Sequence, residues 1–415
     1  MNNVYLCMYY DMLNFVLNRL WVFNQFYPER AIFAIRRIFP PSDPELSLKR
    51  MRNLIAVFVK WKYNFSIQKV KPIIFQVETV RGCNLNCVMC GAGELRLKMM
   101  SFEKFKKISE KFPEAFITIL NFLGEPFLSK DIIKMIQHSQ KKSCVILFSN
   151  LTILPHPEDL VNSGLFEINI SIDSFDKEKY EFIRKSGELK KIFKELRFDE
   201  NEFDIKSKNG KSRNGKQEEK IISRNGITGL EKSKSTLEKV VENLKTLIRT
   251  RNKLKKNLPI ISINSVFAKE TKEDAEDIIK NAIDLGVDRV KFQKLAFDVP
   301  GVFHTPDPDD FFFLQKLKQK YKNQIEIIFA NFDHKSELKG YCFHAYFMTF
   351  FDVFGNIFPC FMLPKILENT EFSKFGNIEN TDIIEALERR QNFINNFRDN
   401  PPQFCKECYL YLRKS

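Results

Sequence analysis

Residues 73–90 have the sequence IIFQVETVRGCNLNCVMC, in which an apolar run leads directly to Cys83, Cys87 and Cys90. Short runs rich in β-branched and apolar residues are typical of strands that are buried on both faces. The loops that follow the strands of a parallel barrel are where such folds build active sites. The stretch therefore predicts a strand that ends at a site containing three thiols.

The spacing Cys83-x3-Cys87-x2-Cys90 indicates an iron–sulfur site. Three thiolates on one short loop can ligate three irons of a [4Fe–4S] cube, which leaves the fourth iron open to an outside molecule. A structural zinc site normally takes four protein ligands at paired spacings, and this run alone does not supply them. An open cluster is the favoured interpretation.

A regular alternation of strands and helices surrounds the cysteines. Strands alternating with helices form a parallel sheet with right-handed crossovers. Six such units over 71–300 are too few for an eightfold barrel, so we predict an α/β fold with a partial (β/α)6 TIM-like barrel. The strands are predicted at 73–80, 116–123, 144–150, 165–172, 259–267 and 289–295, and the helices at 101–112, 129–143, 177–186, 235–254 and 272–286.

A charged segment at about 187–234 interrupts this alternation. It contains a short repeat, Ser207-Lys-Asn-Gly-Lys211, which recurs with small changes at 212–216 and 223–227. Polar sequence of this kind buries too little apolar surface to offset the entropy of ordering the chain. We expect a disordered surface insertion here.

A second group of cysteines lies within residues 301–415. The run 348–360 alternates around Gly355 like a hairpin, and a helix is predicted at 381–397. Four thiolates fit one closed site, which could take zinc or an iron–sulfur cluster. The pattern predicts a small C-terminal metal-binding domain made of a hairpin and a helix. Its cysteines are Cys342, Cys360, Cys405 and Cys408.

Composition limits the other functions and the compartment. The net charge is +14, but the lysines are spread along the chain without a helix-turn-helix or a zinc-finger pair, so no nucleic acid is expected as partner. Nine cysteines without a signal peptide favour metal or redox chemistry in a reducing cytoplasm over a secreted disulfide framework. Cys144 starts an apolar run and is expected to be an inert buried thiol.

Residues 1–70 are apolar and basic, with 10 Lys or Arg against 4 Asp or Glu. They contain no uncharged apolar stretch of the ~18 residues that a spanning helix requires. The segment 49–61 could lie on a membrane surface, but a helix that covers the core is the favoured interpretation. We predict a helical N-terminal extension, with peripheral membrane contact as the less favoured alternative.

The cysteine run, with Met89 directly before Cys90, resembles the radical S-adenosylmethionine (SAM) superfamily. In that family SAM chelates the open iron, the cluster reduces its sulfonium, and the resulting 5′-deoxyadenosyl radical abstracts hydrogen from a substrate. The resemblance implies a [4Fe–4S] cluster on Cys83, Cys87 and Cys90, bound SAM with Met89 near its adenine, and an electron donor such as flavodoxin or ferredoxin.

Three predicted strand ends carry further matches to this family. Gly124-Glu125-Pro126 is similar to its GEP-type motif, whose backbone binds the SAM amino group. Ser149-Asn150, and Ser171 with Asp173, resemble positions near the SAM ribose and carboxylate, although Asn and Asp are also common turn formers. The resemblance implies SAM contacts from Met89, Gly124, Glu125, Pro126, Ser149, Asn150, Ser171 and Asp173.

The C-terminal cysteines resemble the SPASM extension of the same superfamily, in which Gly376-Asn377-Ile378 also recurs. Three cysteines of the full pattern are missing, so the segment is similar to the shortened Twitch form. That form implies one auxiliary [4Fe–4S] cluster ligated by Cys342, Cys360, Cys405 and Cys408.

A one-cluster extension resembles the aminocyclitol dehydrogenases and implies an oxidoreductase acting on a small polar molecule, such as a sugar or aminocyclitol. A peptide or protein maturase is the alternative, and a non-catalytic zinc or iron–sulfur protein is a distant one. Dehydrogenation also needs a base. His304, His334 and His344 are candidates, and no spacing selects one of them.

Overall fold

The computed structural model describes residues 28–63, 65, 67, 70–185, 234–296, 298–330, 342–361, 375–397, 399–402, 405–406 and 408. The insertion predicted at about 187–234 lies outside this part of the chain, except for Lys234 at its end.

A ten-stranded sheet, in the order β12-β11-β10-β1-β4-β5-β6-β7-β8-β9, organises the described residues. Neighbouring strands from β10 to β9 in this order are parallel, while β11 and β12 are added antiparallel. The strands of this sheet are β1 (Ile74–Val77), β4 (Ile117–Leu120), β5 (Cys144–Ser149), β6 (Glu167–Ser171), β7 (Ile260–Phe267), β8 (Arg289–Lys294), β9 (Glu326–Ala330), β10 (Met348–Phe351), β11 (Asn356–Phe358) and β12 (Gly376–Asn377). A small separate ribbon pairs β2 (Val80–Arg81) with β3 (Lys98–Met99).

Helices connect and cover these strands. On β6, Ile168 and Ile170 pack into the main apolar core, whereas Glu167 and Asn169 alternate with them towards the opposite face. The described helices are α1 (Pro28–Ile38), α2 (Pro44–Tyr63), α3 (Phe102–Lys111), α4 (Ile132–Ser139), α5 (Pro157–Asn162), α6 (Lys177–Lys185), α7 (Thr236–Lys253), α8 (Asp274–Leu285), α9 (Pro308–Tyr321), α10 (Phe343–Phe347) and α11 (Ile383–Asn396).

The predicted α/β class is confirmed, since the six predicted strands correspond to β1 and β4 to β8. The sequence pattern did not predict β9, which continues the sheet by pairing with β8. The predicted C-terminal hairpin joins the same sheet, because β10 pairs in parallel with β1 and places Phe350 opposite Gln76. Both pairings join distant segments, which local sequence patterns do not encode.

The helix α2 covers the core, as the favoured interpretation of residues 49–61 predicts. Its Leu54, Phe58 and Trp61 are buried, and the Trp61 ring packs edge-on against Phe347 of α10 at 5.5 Å. None of the described helices combines the length and the apolar character that crossing a membrane requires.

Candidate active site

The cysteine loop leaves the sheet at a close approach between two glycines. Gly82 donates its N–H to the carbonyl of Leu123 at 2.8 Å, and Glu125 donates its N–H to the carbonyl of Gly82 at 3.3 Å. A Cβ added to Gly124 would lie 2.2 Å from the carbonyl oxygen of Val80, so this contact requires glycine. The approach places the cysteine loop beside the Gly124-Glu125-Pro126 turn, at the carboxyl ends of β1 and β4.

Three N–H groups from different parts of the fold donate to sulfur atoms of this loop. The N–H of Leu85 lies 3.4 Å from Cys83 Sγ, and Asn150 Nδ2 lies 3.5 Å from the same atom. Arg184 Nη1 lies 3.7 Å from Cys87 Sγ. The thiols are free of disulfides, and donors of this kind stabilise the thiolate form that ligates iron.

The three thiols also influence one another electrostatically. Burial raises the pKa of Cys83 to about 11, the N–H of Leu85 opposes that rise, and the charges of Glu125, Cys87 and Cys90 add to it. Iron that binds these thiols must therefore displace their protons, so the loading of the site with metal depends on pH.

The donor set and its position fit an open [4Fe–4S] cluster. In the described residues, no three His, Cys, Asp or Glu side chains are gathered closely enough to hold a single metal ion. A cube requires one thiolate on each of three irons, and a single loop with three free thiols can supply them.

The Glu125 side chain joins the ends of β4 and β5. It is 2 % exposed and accepts hydrogen bonds from Ser149 Oγ at 2.7 Å, the N–H of Asn150 at 2.8 Å and the N–H of Phe127 at 3.2 Å. The sequence interpretation gave this turn a role through its backbone. The structure adds a structural role for the carboxyl group, which fixes the residues around Cys83.

Burial raises the pKa of Glu125 from 4.5 to about 7, against the hydrogen bonds from Asn150, Ser149 and Phe127. The stability that this group contributes is thus fully present below pH 4.5 and is lost as the pH rises through 7. We expect Glu125→Gln to remove this pH dependence of the free energy of unfolding, which amounts to about 3 kcal/mol. Urea denaturation at pH 5 and pH 8 measures it.

The exposed Glu158 of α5 provides the matched control for this prediction. We expect Glu158→Gln to keep the wild-type dependence of unfolding free energy on pH. An unchanged dependence in Glu125→Gln would show that the buried carboxyl group does not take up the proton.

A ring of amides holds the first half of the cysteine loop against the end of β5. Asn150 Nδ2 donates to Asn84 Oδ1 at 3.0 Å, and Asn84 Nδ2 donates to Thr152 Oγ1 at 2.7 Å. Thr152 closes the ring by donating through Oγ1 to Asn150 Oδ1 at 2.7 Å. Sequence reasoning selected Asn150 but missed Asn84 and Thr152, because nothing in their local sequence shows that they meet.

The predicted SAM contact Asp173 lies inside a network of the chain's own groups. It is fully buried, accepts the N–H of Val266 at 2.8 Å and forms an ion pair with Arg184 Nη2 at 2.6 Å. Sequence reasoning missed Arg184, since it is one of four basic residues in the helix after the fourth predicted strand and nothing local distinguishes it from the others.

Met89 and Ser171 complete the set of predicted SAM contacts. Met89 is partly buried against an apolar cluster that includes Ile183 and Phe303. Ser171 ends β6 and is the register partner of Asn264 on β7. The structure therefore brings Gly124, Glu125, Pro126, Ser149 and Asn150 together beside Cys83, links Asp173 to Cys87 through Arg184, and places Met89 on the apolar side of the loop.

The C-terminal thiols form a second, more buried group. Cys342, Cys405 and Cys408 are each 8 % exposed, and Cys360 is partly buried. Burial raises the pKa of Cys342 to about 12, with Cys360 and Cys408 adding to the rise while the N–H groups of Ala345 and His344 oppose it. The pKa of Cys405 rises to about 12 by burial, with contributions from Cys342 and Cys408. Cys342 thus lies within electrostatic reach of Cys360 and Cys408, and Cys405 within reach of Cys342 and Cys408.

Family models match two segments of the chain. The radical SAM superfamily model matches residues 77–198, and SPASM, an iron–sulfur cluster-binding domain, matches residues 342–409. This chain combines a radical SAM domain with a SPASM domain. The family resemblance predicted from the cysteine patterns is confirmed, and the two domains imply SAM and [4Fe–4S] clusters as cofactors.

Curated relatives match only part of this chain. GTP 3′,8-cyclase of Clostridium botulinum (strain Hall) is 28 % identical over 131 residues, which are 29 % of this chain and 41 % of the relative. A probable GTP 3′,8-cyclase of Archaeoglobus fulgidus is 31 % identical over 121 residues, 28 % of this chain and 41 % of the relative. The match thus spans about two fifths of the length of these relatives.

Solved structures extend the likeness in fold to most of the chain. Streptococcus suis SuiB bound to S-adenosylmethionine has a TM-score of 0.56 at 14 % identity and covers 90 % of this chain and 82 % of that one. The enzyme anSMEcpe with bound AdoMet has a TM-score of 0.52 at 15 % identity and covers 82 % of this chain and 88 % of that one. At these identities the likeness shows the fold alone.

The histidines proposed as bases lie in different settings. In the SPASM domain, burial lowers the pKa of His344 to about 4, and its ring packs against Phe361 at 5.2 Å. His304, which follows β8 in the chain, is exposed, with its Nδ1 2.6 Å from Glu270 Oε1. His334 lies outside the described residues.

On the sheet face that carries Glu167, polar side chains extend along β6, β7 and β8. Glu167 Oε1 lies 2.6 Å from Lys291 Nζ and accepts a hydrogen bond from Ser262 Oγ at 2.6 Å. In the row above, Asn264 is the register partner of both Ser171 and Lys291. The ion pair of Glu167 thus lies nearer the amino ends of the strands. The hydroxyl of Ser171 and the amide of Asn264 lie nearer the carboxyl ends.

Proposed function

We propose that the chain is a radical SAM enzyme whose Cys83, Cys87 and Cys90 hold the SAM-binding cluster. The observation that carries this proposal is the loop of three free thiols at the carboxyl ends of the strands, with N–H donors aimed at its sulfur atoms. When bound, the cluster supplies the electron that cleaves SAM to a 5′-deoxyadenosyl radical. An external reductant such as flavodoxin or ferredoxin would provide that electron.

The residues around the loop would bind and orient SAM. We propose that Glu125 acts by fixing Asn150 and Ser149, whose backbone and side-chain groups it holds at 2.7–2.8 Å. Met89 would supply an apolar contact for the adenine. The proposed set of SAM contacts is Met89, Gly124, Glu125, Pro126, Ser149, Asn150, Ser171 and Asp173, of which Asp173 contributes through Arg184.

For the reaction class, we propose an oxidoreductase acting on a small polar substrate such as a sugar or aminocyclitol. The polar side chains of Ser171 and Asn264, which are register partners, support this choice, because hydroxyl and amino groups of a substrate find hydrogen-bond partners there. A carbinol that loses a hydrogen atom becomes a carbonyl after it also loses a proton and one electron. The four C-terminal thiols are proposed to hold the auxiliary cluster that accepts this electron.

A peptide maturase is the second candidate. It is favoured by the likeness in fold to SuiB, one structure of which is bound to the precursor peptide SuiA, with a TM-score of 0.55 over 88 % of this chain. This candidate predicts hydrogen abstraction from a peptide instead of a carbinol.

Deuterium transfer separates the two candidates. The reconstituted full chain is incubated with SAM, dithionite and either perdeuterated sugars and cyclitols or perdeuterated peptides. Deuterium in 5′-deoxyadenosine from the first pool supports the dehydrogenase, and deuterium from the peptides alone contradicts it. We expect Asn264→Ala to reduce transfer about tenfold, consistent with the loss of one to two hydrogen bonds, whereas Asn281→Ala, at a partly exposed position of α8, does not.

A further inference from the structure

The helix α6 brings one positive charge to the cysteine loop. Arg184 is only 8 % exposed, and its Nη1 donates to Cys87 Sγ at 3.7 Å. The preceding residue, Ile183, accepts the N–H of Val88 at 3.0 Å, so the helix contacts the loop at both Cys87 and Val88. The guanidinium is therefore held in place by backbone contacts as well as by its own hydrogen bonds.

A buried carboxylate fixes the other side of the same guanidinium. Asp173 Oδ2 lies 2.6 Å from Arg184 Nη2, and its Oδ1 accepts the N–H of Val266 at 2.8 Å. The ion pair is shielded from water, since Asp173 has no exposed surface. Charges in such a setting act more strongly on their neighbours than charges in solvent.

We propose that Arg184 is a positioning residue that acts through Cys87 to raise the reduction potential of the cluster held by the loop, and that Asp173 limits this effect. Reduction adds one negative charge to the cluster, and a cation at a ligating thiolate stabilises the more negative state. Asp173 partly neutralises that cation and fixes its orientation. This inference rests on the proposed function.

Two substitutions are expected to shift the midpoint potential in opposite directions. Arg184→Gln removes the positive charge and lowers the potential, whereas Asp173→Asn removes the counter-charge and raises it. Arg184→Lys keeps the charge without the two-pronged geometry and should lie between wild type and Arg184→Gln. If the ion pair served stability alone, neither substitution would move the potential in a chain that still held its cluster.

A redox titration followed by electron paramagnetic resonance tests the inference on the reconstituted full chain. The signal that changes on addition of SAM reports the core cluster and separates it from the auxiliary one. We expect Arg184→Gln to reduce the equilibrium constant for one-electron reduction about tenfold, which is ~59 mV. Asp173→Asn and Arg184→Lys keep the test decisive if Arg184→Gln does not fold.

Arg251 provides the matched control. It is also a buried arginine paired with a buried aspartate, Asp288, but it lies near the amino ends of the strands. We expect Arg251→Gln to leave the midpoint unchanged. Midpoint potentials that shift in the same direction in Arg184→Gln and Asp173→Asn, or that do not shift in either variant while the cluster is intact, would overturn this inference and leave the proposed function standing. A wild-type loop that assembles no cluster would overturn the proposed function with it.

Discussion

Replacing Cys87 by alanine is expected to abolish the formation of 5′-deoxyadenosine from SAM and to remove about four iron atoms per chain. The loop offers three thiols for three irons, so the loss of one leaves a cube without enough ligands. Cys87 is anchored in the loop, since its carbonyl accepts the N–H of Cys90 at 3.0 Å and the next residue, Val88, donates its N–H to the carbonyl of Ile183. The loop therefore lacks the freedom to substitute another group for the missing thiol.

Cys144 is the matched control for this substitution. It is 2 % exposed in β5, packs with apolar side chains, and has a pKa that burial raises to about 12. We expect Cys144→Ala to retain iron and SAM cleavage at the wild-type level. Iron analysis and chromatography of 5′-deoxyadenosine measure both variants, and full activity of Cys87→Ala would contradict the assignment of the loop.

Replacing Cys405 by alanine is expected to remove the auxiliary cluster while SAM cleavage without substrate continues. The Cys405 thiol lies in an apolar cluster with Ile394 and Phe397 and interacts electrostatically with Cys342 and Cys408. These groups come from the C-terminal segment and are separate from the loop at Cys83. Iron should fall from about eight to about four atoms per chain.

The same variant should also lose stability, because metal that binds only the folded state adds its binding free energy to folding. Thermal unfolding of the reconstituted wild type and Cys405→Ala measures this loss. Two results would contradict the prediction. One is the disappearance of SAM cleavage in Cys405→Ala, and the other is a wild-type chain with about four irons and one zinc, which would make the auxiliary site a zinc site.

Local features of the fold were predictable because their causes are local. The Ser235-to-Glu238 capping box forms with hydrogen bonds of 3.2 and 2.8 Å, and Gly286 ends α8 in the left-handed conformation at φ 75°. The strand β9 was not predictable in this way, since it is only partly buried and gains its definition from pairing with β8.

The candidate site likewise combines features that local sequence predicts with contacts between distant segments. Cys83, Cys87 and Cys90 share one loop, so their spacing alone indicates a cluster. Arg184 lies 97 positions from Cys87 along the chain, and the contact arises only because β6 and α6 fold back on the loop. The role of the Glu125 carboxyl group likewise depends on β5 lying beside β4.

We propose that this chain cleaves SAM with a cluster held by the loop at Cys83. Anaerobic reconstitution of the full chain with iron and sulfide, followed by dithionite and SAM and by quantification of 5′-deoxyadenosine, tests this proposal. We expect product in the wild type and only background in Cys87→Ala. A wild-type chain that takes up iron but forms no 5′-deoxyadenosine would contradict it.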